Sequence, residues 1–293
     1  MVRALLLAAV LAGCGFSVEG GSARGDGGPG DRDADVTGDA IVPLDVLPDG
    51  NATVDSDGDG VFDDVDNCIG VANPNQRDHD GDAHGDVCDR CPHLPSATDP
   101  DTDGDGVGDA CDPRPGTADM RVAWFGFYDA SELAGWSGSG AWSVVNGTLR
   151  QAGTNNATGY APPGNRTRPF VMASVTIDAL SSASTMSVGI SSVHTGGGGR
   201  HDCVVERGSG TTRIARRAPG VTTDTVPWIG TFAAGSTLRI AQTVNTQHGC
   251  RAVQGGIDLG SVGNTGTMGA SPVYVGADRV AASFDYLFVV EQP

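Results

Sequence analysis

Short runs in which apolar and polar residues alternate fill the chain from residue 117 to residue 293. The runs are rich in Val, Phe, Tyr or Trp, and Gly, Asn, Pro and Ser separate them. None shows a convincing helical period, whereas alternation with a period of two is typical of half-buried strands. They comprise residues 121–129, 141–151, 170–179, 185–193, 202–208, 212–218, 236–244, 250–256, 271–277 and 282–291. This pattern predicts a mainly β domain at 117–293, an antiparallel β-sandwich long enough to bury a full core.

Residues 55–112 follow a different pattern, with few apolar residues and with aspartates at fixed intervals. Twelve-residue loops begin every 23 residues, at Asp55, Asp78 and Asp101. The same interval separates two pairs of cysteines, Cys68 from Cys91 and Cys88 from Cys111. A simple acidic linker would show neither the fixed period nor cysteines in phase with it, so we interpret the segment as an internal repeat.

Each loop has aspartate at positions 1, 3, 5, 9 and 12. The fifteen residues are Asp55, Asp57, Asp59, Asp63, Asp66, Asp78, Asp80, Asp82, Asp86, Asp89, Asp101, Asp103, Asp105, Asp109 and Asp112. Calcium takes about six to eight oxygen ligands, and alternate carboxylates on a tightly turned loop can converge on one ion. Position 7 can add a backbone carbonyl, from Val61, His84 or Val107. We predict calcium as the cofactor, because magnesium demands a smaller and stricter octahedron and zinc prefers Cys and His.

The loops resemble those of EF-hands, but their surroundings do not. Proline, glycine and asparagine interrupt both flanks of the first loop, "VLPDGNATV" before it and "NCIGVANPNQ" after it, where an EF-hand has amphipathic helices. Position 12 is Asp instead of the usual Glu. Position 6 is glycine in two loops, Gly60 and Gly106, but alanine at Ala83 in the middle loop.

Residues 64–112, "DVDNCIGVANPNQRDHDGDAHGDVCDRCPHLPSATDPDTDGDGVGDACD", resemble thrombospondin type 3 repeats. The resemblance rests on Asp-Asn-Cys, Asn-Pro-x-Gln and a loop that ends in Gly-Asp-x-Cys-Asp. It implies a chain with little hydrophobic core that wraps around calcium ions over residues 55–116. It also implies two disulfides, Cys68–Cys88 and Cys91–Cys111. The middle repeat departs from the pattern at Ala83, Arg90 and Ser96.

The N-terminus has the features of an export signal. Arg3 precedes an apolar run, residues 4–12, that is too short to span a bilayer, so residues 1–13 are interpreted as a signal peptide. The run ends in Leu-Ala-Gly-Cys, which resembles a bacterial lipobox, so Cys14 is expected to carry the lipid; a plain signal peptide cut nearby is the alternative. Residues 14–54 are rich in Gly and Asp and are predicted to form a disordered tether.

The cysteine count agrees with an oxidising compartment. The chain has seven cysteines, and removing Cys14 leaves six. Cys203 and Cys250 remain once the repeat pairs are assigned, and each lies in a strand-like run. We predict an inter-strand disulfide between them; two buried free thiols are the alternative.

Acidic and basic residues are distributed unevenly between the two parts of the chain. Residues 1–120 hold 26 acidic and 6 basic residues, whereas residues 121–293 hold 10 and 12. The net charge of −18 therefore comes from the region where calcium would bind. Nothing in this distribution indicates a nucleic-acid partner. All 18 basic residues are arginine, which favours a GC-rich bacterial source.

The stretch "YDASELAGWSGSGAWSVVNGTLR", residues 128–150, resembles the beginning of concanavalin-like jelly rolls of the laminin-G and L-type lectin group. In that group the first and last strands usually pair. The resemblance therefore implies that "WFGFYD" at 124–129 lies beside "FDYLFVV" at 284–290.

Residues for catalysis are sparse in the sandwich, and we predict that the protein is not an enzyme. Its only glutamates are Glu132, Glu206 and Glu291, and none forms a Glu-x-Asp-x-Glu group on one strand. The histidines are scattered, and His201 beside Asp202 is interpreted as a loop pair. Trp136, Trp142 and Trp228 could stack on sugars, but core packing is the commoner role. The basic run of Arg213, Arg216 and Arg217 is interpreted as a solvated strand face.

Together these features predict a calcium-binding lipoprotein of the cell envelope, at the outer membrane or cell surface. A repeat spacer would carry a sandwich that functions in adhesion or binds a ligand such as a glycan. One alternative is a purely structural spacer whose sandwich binds another envelope protein. Another is a carbohydrate-active enzyme. A glycan array with and without calcium would separate the first two.

Overall fold

The structure is a computed structural model, and it describes residues 54–155, 157–193, 200–208, 211–217, 224–227, 230–244, 247–265 and 270–293. The predicted signal peptide, Cys14 and the predicted tether lie outside these residues, as does Trp228. The described residues fall within one compact unit, Thr53–Pro293. Within them, no helix has the length and apolar character needed to cross a membrane.

Strands make up most of the regular structure, as the alternating pattern predicts. The single helix described is a short 3₁₀ turn, Ala130–Leu133. The strands are β1 Met120–Phe125, β2 Ser137–Ser139, β3 Trp142–Val145, β4 Thr148–Gln151, β5 Ala157–Ala161, β6 Pro169–Leu180, β7 Met186–Val193, β8 Arg200–Arg207, β9 Thr212–Arg217, β10 Asp224–Pro227, β11 Thr237–Val244, β12 Gln247–Gln254, β13 Ile257–Thr265, β14 Val273–Asp278 and β15 Val280–Glu291.

Two antiparallel sheets form the sandwich. An eight-stranded sheet has the order β13-β12-β11-β6-β15-β4-β3, and β1 also pairs with β15. A seven-stranded sheet has the order β10-β9-β8-β7-β14-β5-β2. The fold class predicted from the sequence, a mainly β chain with an antiparallel sandwich, is therefore confirmed.

The first and last strands pair, as the resemblance to jelly rolls implies. Trp124 lies opposite Phe288 and Phe125 opposite Leu287 in the β1–β15 ladder. The edge of β15 that β1 occupies is shared with β4, which pairs with the N-terminal half of β15.

The run at 141–151, which the pattern suggests as one strand, is a hairpin of β3 and β4. Its two-residue turn is Asn146-Gly147, with φ of 51° and 75°. Positive φ at both central residues is the geometry that Asn-Gly favours, and its twist matches that of the flanking strands.

A β-bulge in β15 changes which residues of the strand point into the core between the sheets and which point to the outer face. Before the bulge, which lies between Phe284 and Tyr286, the even-numbered residues point into the core between the sheets. After it, Leu287 and Val289 point into that core. The even-numbered residues Tyr286, Phe288 and Val290 consequently lie on the outer face of the eight-stranded sheet.

The core between the sheets is crossed by a disulfide, Cys203–Cys250. Cys203 lies on β8 and Cys250 on β12, so the bond joins the two sheets. This is the inter-strand pair that the sequence predicts, and the structure adds that its strands lie in opposite sheets.

Two sequence interpretations in this region are wrong. Arg216 does not lie on a solvated face, because it is only 1% exposed. His201 and Asp202 are not a loop pair, since both lie within β8 and are buried. His201 instead approaches His248, with 3.2 Å between their Nδ1 atoms, and Arg216 Nη1 lies 3.4 Å from the same nitrogen of His248.

Candidate metal sites in the acidic repeats

The twelve-residue loops have no regular secondary structure, and their first aspartate shapes the turn. In the first loop, Asp55 Oδ1 accepts a hydrogen bond from Gly58 N at 2.7 Å, and its Oδ2 accepts one from Gly60 N at 3.0 Å. The same pair of bonds recurs around Asp78 and Asp101. A short carboxylate that accepts backbone N–H groups is a general device for turning a chain without a helix or sheet.

Position 6 of every loop lies in the left-handed region of backbone conformation. The φ angles are 93° at Gly60, 76° at Ala83 and 86° at Gly106. The middle loop therefore adopts the same turn as its neighbours even though its residue carries a Cβ. Left-handed conformation costs an L-residue about 1–2 kcal/mol, so the middle loop holds conformational strain that the other two lack.

Positions 1, 3 and 5 converge in all three loops. Within each group, one carboxylate oxygen from each of the three aspartates lies within 4.8 Å of the other two. The groups are Asp55–Asp57–Asp59, Asp78–Asp80–Asp82 and Asp101–Asp103–Asp105. Three carboxylates so close repel one another unless a cation lies between them or protons neutralise them.

Several carboxylate oxygens in the loops are buried and have no hydrogen-bond donor. At position 3 they are Asp57 Oδ2, Asp80 Oδ2 and both oxygens of Asp103. At position 12 they are Asp66 Oδ2 and Asp112 Oδ2. A buried oxygen without a donor is costly, whereas metal coordination would satisfy it. The donor set is therefore one that fits a hard cation.

The pKa values of two position-12 aspartates, Asp89 and Asp112, agree with a site for a cation. Burial raises the pKa of Asp89 from 3.8 to about 7, and the nearby carboxylates of Asp80, Asp99 and Asp82 act in the same direction. Burial likewise raises the pKa of Asp112 to about 6. At both residues burial and neighbouring carboxylates disfavour the ionised form, which a bound cation would favour.

Position 9 has a different role from positions 1, 3 and 5. Asp63 accepts hydrogen bonds from Ser56 N and Ser56 Oγ at 2.8 and 2.7 Å, and Asp109 accepts the same pair from Thr102. The position-9 aspartates are not members of the converging groups among the described residues. Ligation by these residues, and by the carbonyls of Val61, His84 and Val107, stays a prediction.

Both disulfides implied by the resemblance are present in the repeats, Cys68–Cys88 and Cys91–Cys111. The replacement of Asn73 by Ser96 one repeat later does not alter the local contact. Asn73 donates its backbone N–H to Asp59 Oδ2 at 2.6 Å, and Ser96 does the same to Asp82 Oδ2 at 2.7 Å. The bond uses the backbone, so the side chain at this position is not required for it.

The repeats pack on the outer face of the eight-stranded sheet. Cys91, Val107 and Cys111 join one buried cluster with four residues of the sheet: Met172, Tyr286, Phe288 and Val290. His93 contributes as well, since its ring centroid lies 4.6 Å from that of Tyr286 and 4.9 Å from that of Phe288. The repeats therefore use the sandwich as the hydrophobic core that they lack themselves.

The middle repeat is also tied to the sandwich by polar contacts. Tyr128 donates its hydroxyl to Asp86 Oδ2 at 2.8 Å. Arg77 lies over the Tyr128 ring, 4.4 Å from its centroid, and forms ion pairs with Asp129 and Glu132. These contacts connect position 9 of the middle loop to the segment that follows β1.

Among the comparisons with known proteins, the family match concerns the acidic repeats. Residues 30–76 and 100–114 match the model of the thrombospondin type 3 repeat family. The match omits the middle repeat, where Ala83, Arg90 and Ser96 depart from the pattern. No curated protein matches the chain.

Several solved structures are similar to part of the chain. Lectin II from Ulex europaeus is similar with a TM-score of 0.45 and 9% identity, covering 59% of this chain and 100% of that one. The β-glucanase of Bacillus licheniformis has a TM-score of 0.43 and 10% identity, covering 58% and 98%. Xyloglucan PUL GH43B of Bacteroides ovatus has a TM-score of 0.42 and 14% sequence identity, and the similarity covers 62% of this chain. The present chain spans about two-fifths of the length of that GH43 protein, 41%.

The chain thus combines segments that match thrombospondin type 3 repeats with an antiparallel β-sandwich. The family match begins upstream of Asp55, in the region assigned to the tether, where a further set of aspartates follows the 1, 3, 5, 9 spacing. These residues are Asp31, Asp33, Asp35 and Asp39. The spacing itself was the signal that could have identified them. They lie outside the described residues.

Proposed function

We propose that this protein is a calcium-binding protein of the cell surface whose sandwich binds an extracellular ligand of the carbohydrate class. The observation that carries the calcium part is the convergence of three aspartates in each loop, together with buried carboxylate oxygens that lack donors. The donors are oxygens only, which is the preference of a hard cation.

Calcium suits these loops better than magnesium or zinc. Each loop offers several carboxylates on an irregular backbone, which suits the larger and more flexible calcium shell. The cysteines of the repeats are held in disulfides and so are not available to zinc. Calcium would also neutralise much of the acidic charge of the repeats.

In this proposal calcium holds the repeats in the conformation that covers the sheet. Ion binding would fix the loops, and the fixed loops would keep Val107 and the Cys91–Cys111 disulfide against Phe288 and its neighbours. The alternative of a purely structural spacer would need repeats that extend away from the sandwich. The cluster shared by the repeats and the sheet favours the first arrangement.

The ligand role is proposed for a binding protein and not for an enzyme. The lectin neighbours include one complexed with galactose, which motivates carbohydrate as the ligand class to test first. Attachment through a lipid on Cys14, location at the outer membrane or cell surface, and adhesion belong to the same proposal. Another envelope protein is the alternative partner.

Titration calorimetry with calcium and with magnesium tests the metal sites. The matched variants are Asp103→Asn, which alters a buried position-3 carboxylate, and Asp64→Asn, which alters an exposed aspartate outside the 1, 3, 5, 9, 12 pattern. We expect Asp103→Asn to weaken one calcium site at least tenfold and Asp64→Asn to leave every site unchanged. Equal heats for the two variants would contradict the assignment.

A glycan array probed with and without calcium tests the ligand class. Signal that requires calcium supports the proposal, whereas binding of an envelope protein without any glycan signal favours the structural alternative. Release of reducing sugar from an array hit would instead indicate an enzyme.

A further inference from the structure

A groove of about 490 Å³ lies between the third repeat and the outer face of the eight-stranded sheet. Its wall is formed by residues 110–113, and its floor by β6, β11 and β12. The groove adjoins the third acidic loop through Asp112 and lies outside the core between the sheets, although Cys250 of that core also borders it.

Two cross-strand rows form the floor. In the first row Met172 lies opposite Ala241, and Ala241 lies opposite Arg251. In the second row Phe170 lies opposite Thr243, and Thr243 lies opposite Gly249. Opposed residues project from the same face of a sheet, so all six side-chain positions face the third repeat.

Small residues at the centre of the floor create the hollow. Ala241 and Gly249 stand where larger residues would fill the space. A Cβ added at Gly249 would meet only Thr243, at 3.6 Å from its Cβ and 3.7 Å from its Oγ1, and the backbone of Gly249 is not in the left-handed region. Backbone geometry therefore does not require glycine here, and its absent side chain leaves the groove open.

The chemistry of the groove is amphipathic. Phe170 and Met172 supply an apolar surface on one side, while the Thr243 hydroxyl and the Arg251 guanidinium supply polar groups on the other. Arg251 binds Asp258 through Nε and Nη2, at 3.1 and 3.0 Å, and a guanidinium has five N–H donors in all. An apolar platform with a few placed polar groups is the usual composition of a small-molecule site.

The wall depends on the third acidic loop. Asp112 closes that loop, and its Oδ1 accepts the N–H of Arg114 at 2.6 Å. The neighbouring Cys111 is fixed by its disulfide to Cys91, and Cys250 beneath the floor is fixed to Cys203. The two disulfides thus restrain one residue of the wall and one beneath the floor, while the rest of the wall depends on the loop that Asp112 closes.

We propose that this groove binds a pyranose sugar, with one apolar ring face on Phe170 and Met172 and with hydroxyls bonded to Thr243 and Arg251. The inference rests on the proposed function and assigns it a place: the ligand lies on the outer face of the sheet, against the third repeat. Sugar binding requires calcium because the ion fixes the loop that forms the wall.

Gly249→Val tests the groove, since it adds a side chain to the hollow and leaves the sequence of the acidic loops unchanged. The control is Ser143→Val, which places the same side chain on exposed β3 at the far end of the same sheet. The probes are immobilised galactosides, glucosides and xylosides, measured in calcium and after chelation. We expect Gly249→Val to lose at least tenfold in sugar affinity, with unchanged calcium affinity and unchanged Tm, and Ser143→Val to behave as the wild type.

Arg251→Gln provides a second test if Gly249→Val lowers the Tm, because Arg251 is exposed and its removal spares the core. Loss of affinity in Arg251→Gln supports the groove. Sugar binding that persists in both variants overturns the groove while the proposed function stands. Sugar binding that persists after calcium is chelated overturns the proposal that calcium must fix the wall for the sugar to bind. A wild-type protein that binds calcium but none of the sugars overturns both the carbohydrate function and this site.

Discussion

Ala83 keeps the shape of its loop but adds backbone strain to it. Its φ of 76° matches the glycines at the equivalent positions, and its backbone N–H still binds Asp78 Oδ2 at 3.0 Å. The middle loop therefore keeps its geometry at the cost of left-handed strain. We expect the middle site, Asp78 to Asp89, to be the weakest of the three.

Replacing Ala83 with glycine should relieve this strain. If the loop takes up this conformation only when calcium binds, a strain of about 1 kcal/mol or slightly more weakens binding five- to tenfold. We expect Ala83→Gly to tighten calcium binding at one site by that factor and to raise the Tm of the calcium-bound protein. Calorimetric titration measures the affinity, and thermal unfolding in calcium measures the Tm.

The matched control for Ala83→Gly is Gly60→Ala in the first loop. Gly60 has a φ of 93° and nothing within 4 Å of an added Cβ, so this change adds strain without a steric clash. It should weaken one site by a similar factor. Unchanged calcium affinities in both variants would mean that position 6 does not need glycine geometry.

Asp89 should make the ion-free protein sensitive to pH. Its folded-state pKa of about 7 lies above the ordinary value of 3.8, because the carboxyl group is buried. Its ionisation therefore destabilises the ion-free fold increasingly as the pH rises from about 4 to about 7, and the full effect is present above pH 7.

Comparison of wild type with Asp89→Asn isolates this effect from other titrating groups. In calcium-free buffer the variant should gain in Tm relative to wild type at pH 8 and should gain less at pH 5. In calcium the order should reverse at pH 8, because the variant loses a ligand. A difference in Tm that does not vary with pH in calcium-free buffer would contradict the raised pKa.

At the scale of elements, the bulge in β15 provides the surface against which the repeats pack. It turns Tyr286, Phe288 and Val290 outward and so creates an apolar surface that the repeats cover. Without a cation, the fifteen loop aspartates repel one another, and the cover has little core of its own to oppose that repulsion.

Calcium removal should therefore loosen the repeats before the sandwich. We expect limited proteolysis after EGTA treatment to cut within residues 55–112 and to spare strands β6 and β15, which share a long ladder. The uncovered aromatic residues should at the same time bind a hydrophobic dye. Equal protease resistance with and without calcium would show that the packing against the sheet is sufficient to hold the repeats.

At the scale of the whole molecule, membrane anchorage is predicted to depend on Cys14, which lies outside the described part of the chain. Cys14→Ala should release the protein from the membrane fraction, because the thiol is the predicted point of lipid attachment. Fractionation of cells that express each form measures this. Unchanged partitioning of the variant would contradict the lipoprotein assignment.

The sequence alone determined the features that depend on local chemistry. Aspartates at a fixed spacing, with glycine or alanine at position 6, specify the loop turns through bonds between neighbours in the chain. Alternation indicated most of the strands but not β2, β5, β10 or β13, which lie outside the alternating runs. The pairing of the first and last strands followed from the resemblance to a known fold. The hairpin at Asn146-Gly147 also has a local signal, the Asn-Gly dipeptide, although alternation alone does not divide 141–151 into two strands.

Only the tertiary structure decided the contacts between distant segments. His201 and His248 look scattered in the sequence, yet the stacking of two sheets brings their rings together. The outward turn of Tyr286 depends on a bulge that alternation cannot locate, and the burial of Arg216 depends on a neighbouring sheet. The groove beside the third repeat arises in the same way, because its floor and wall come from segments more than 50 residues apart in the chain. Such contacts are set by packing across the whole fold, and no local pattern encodes them.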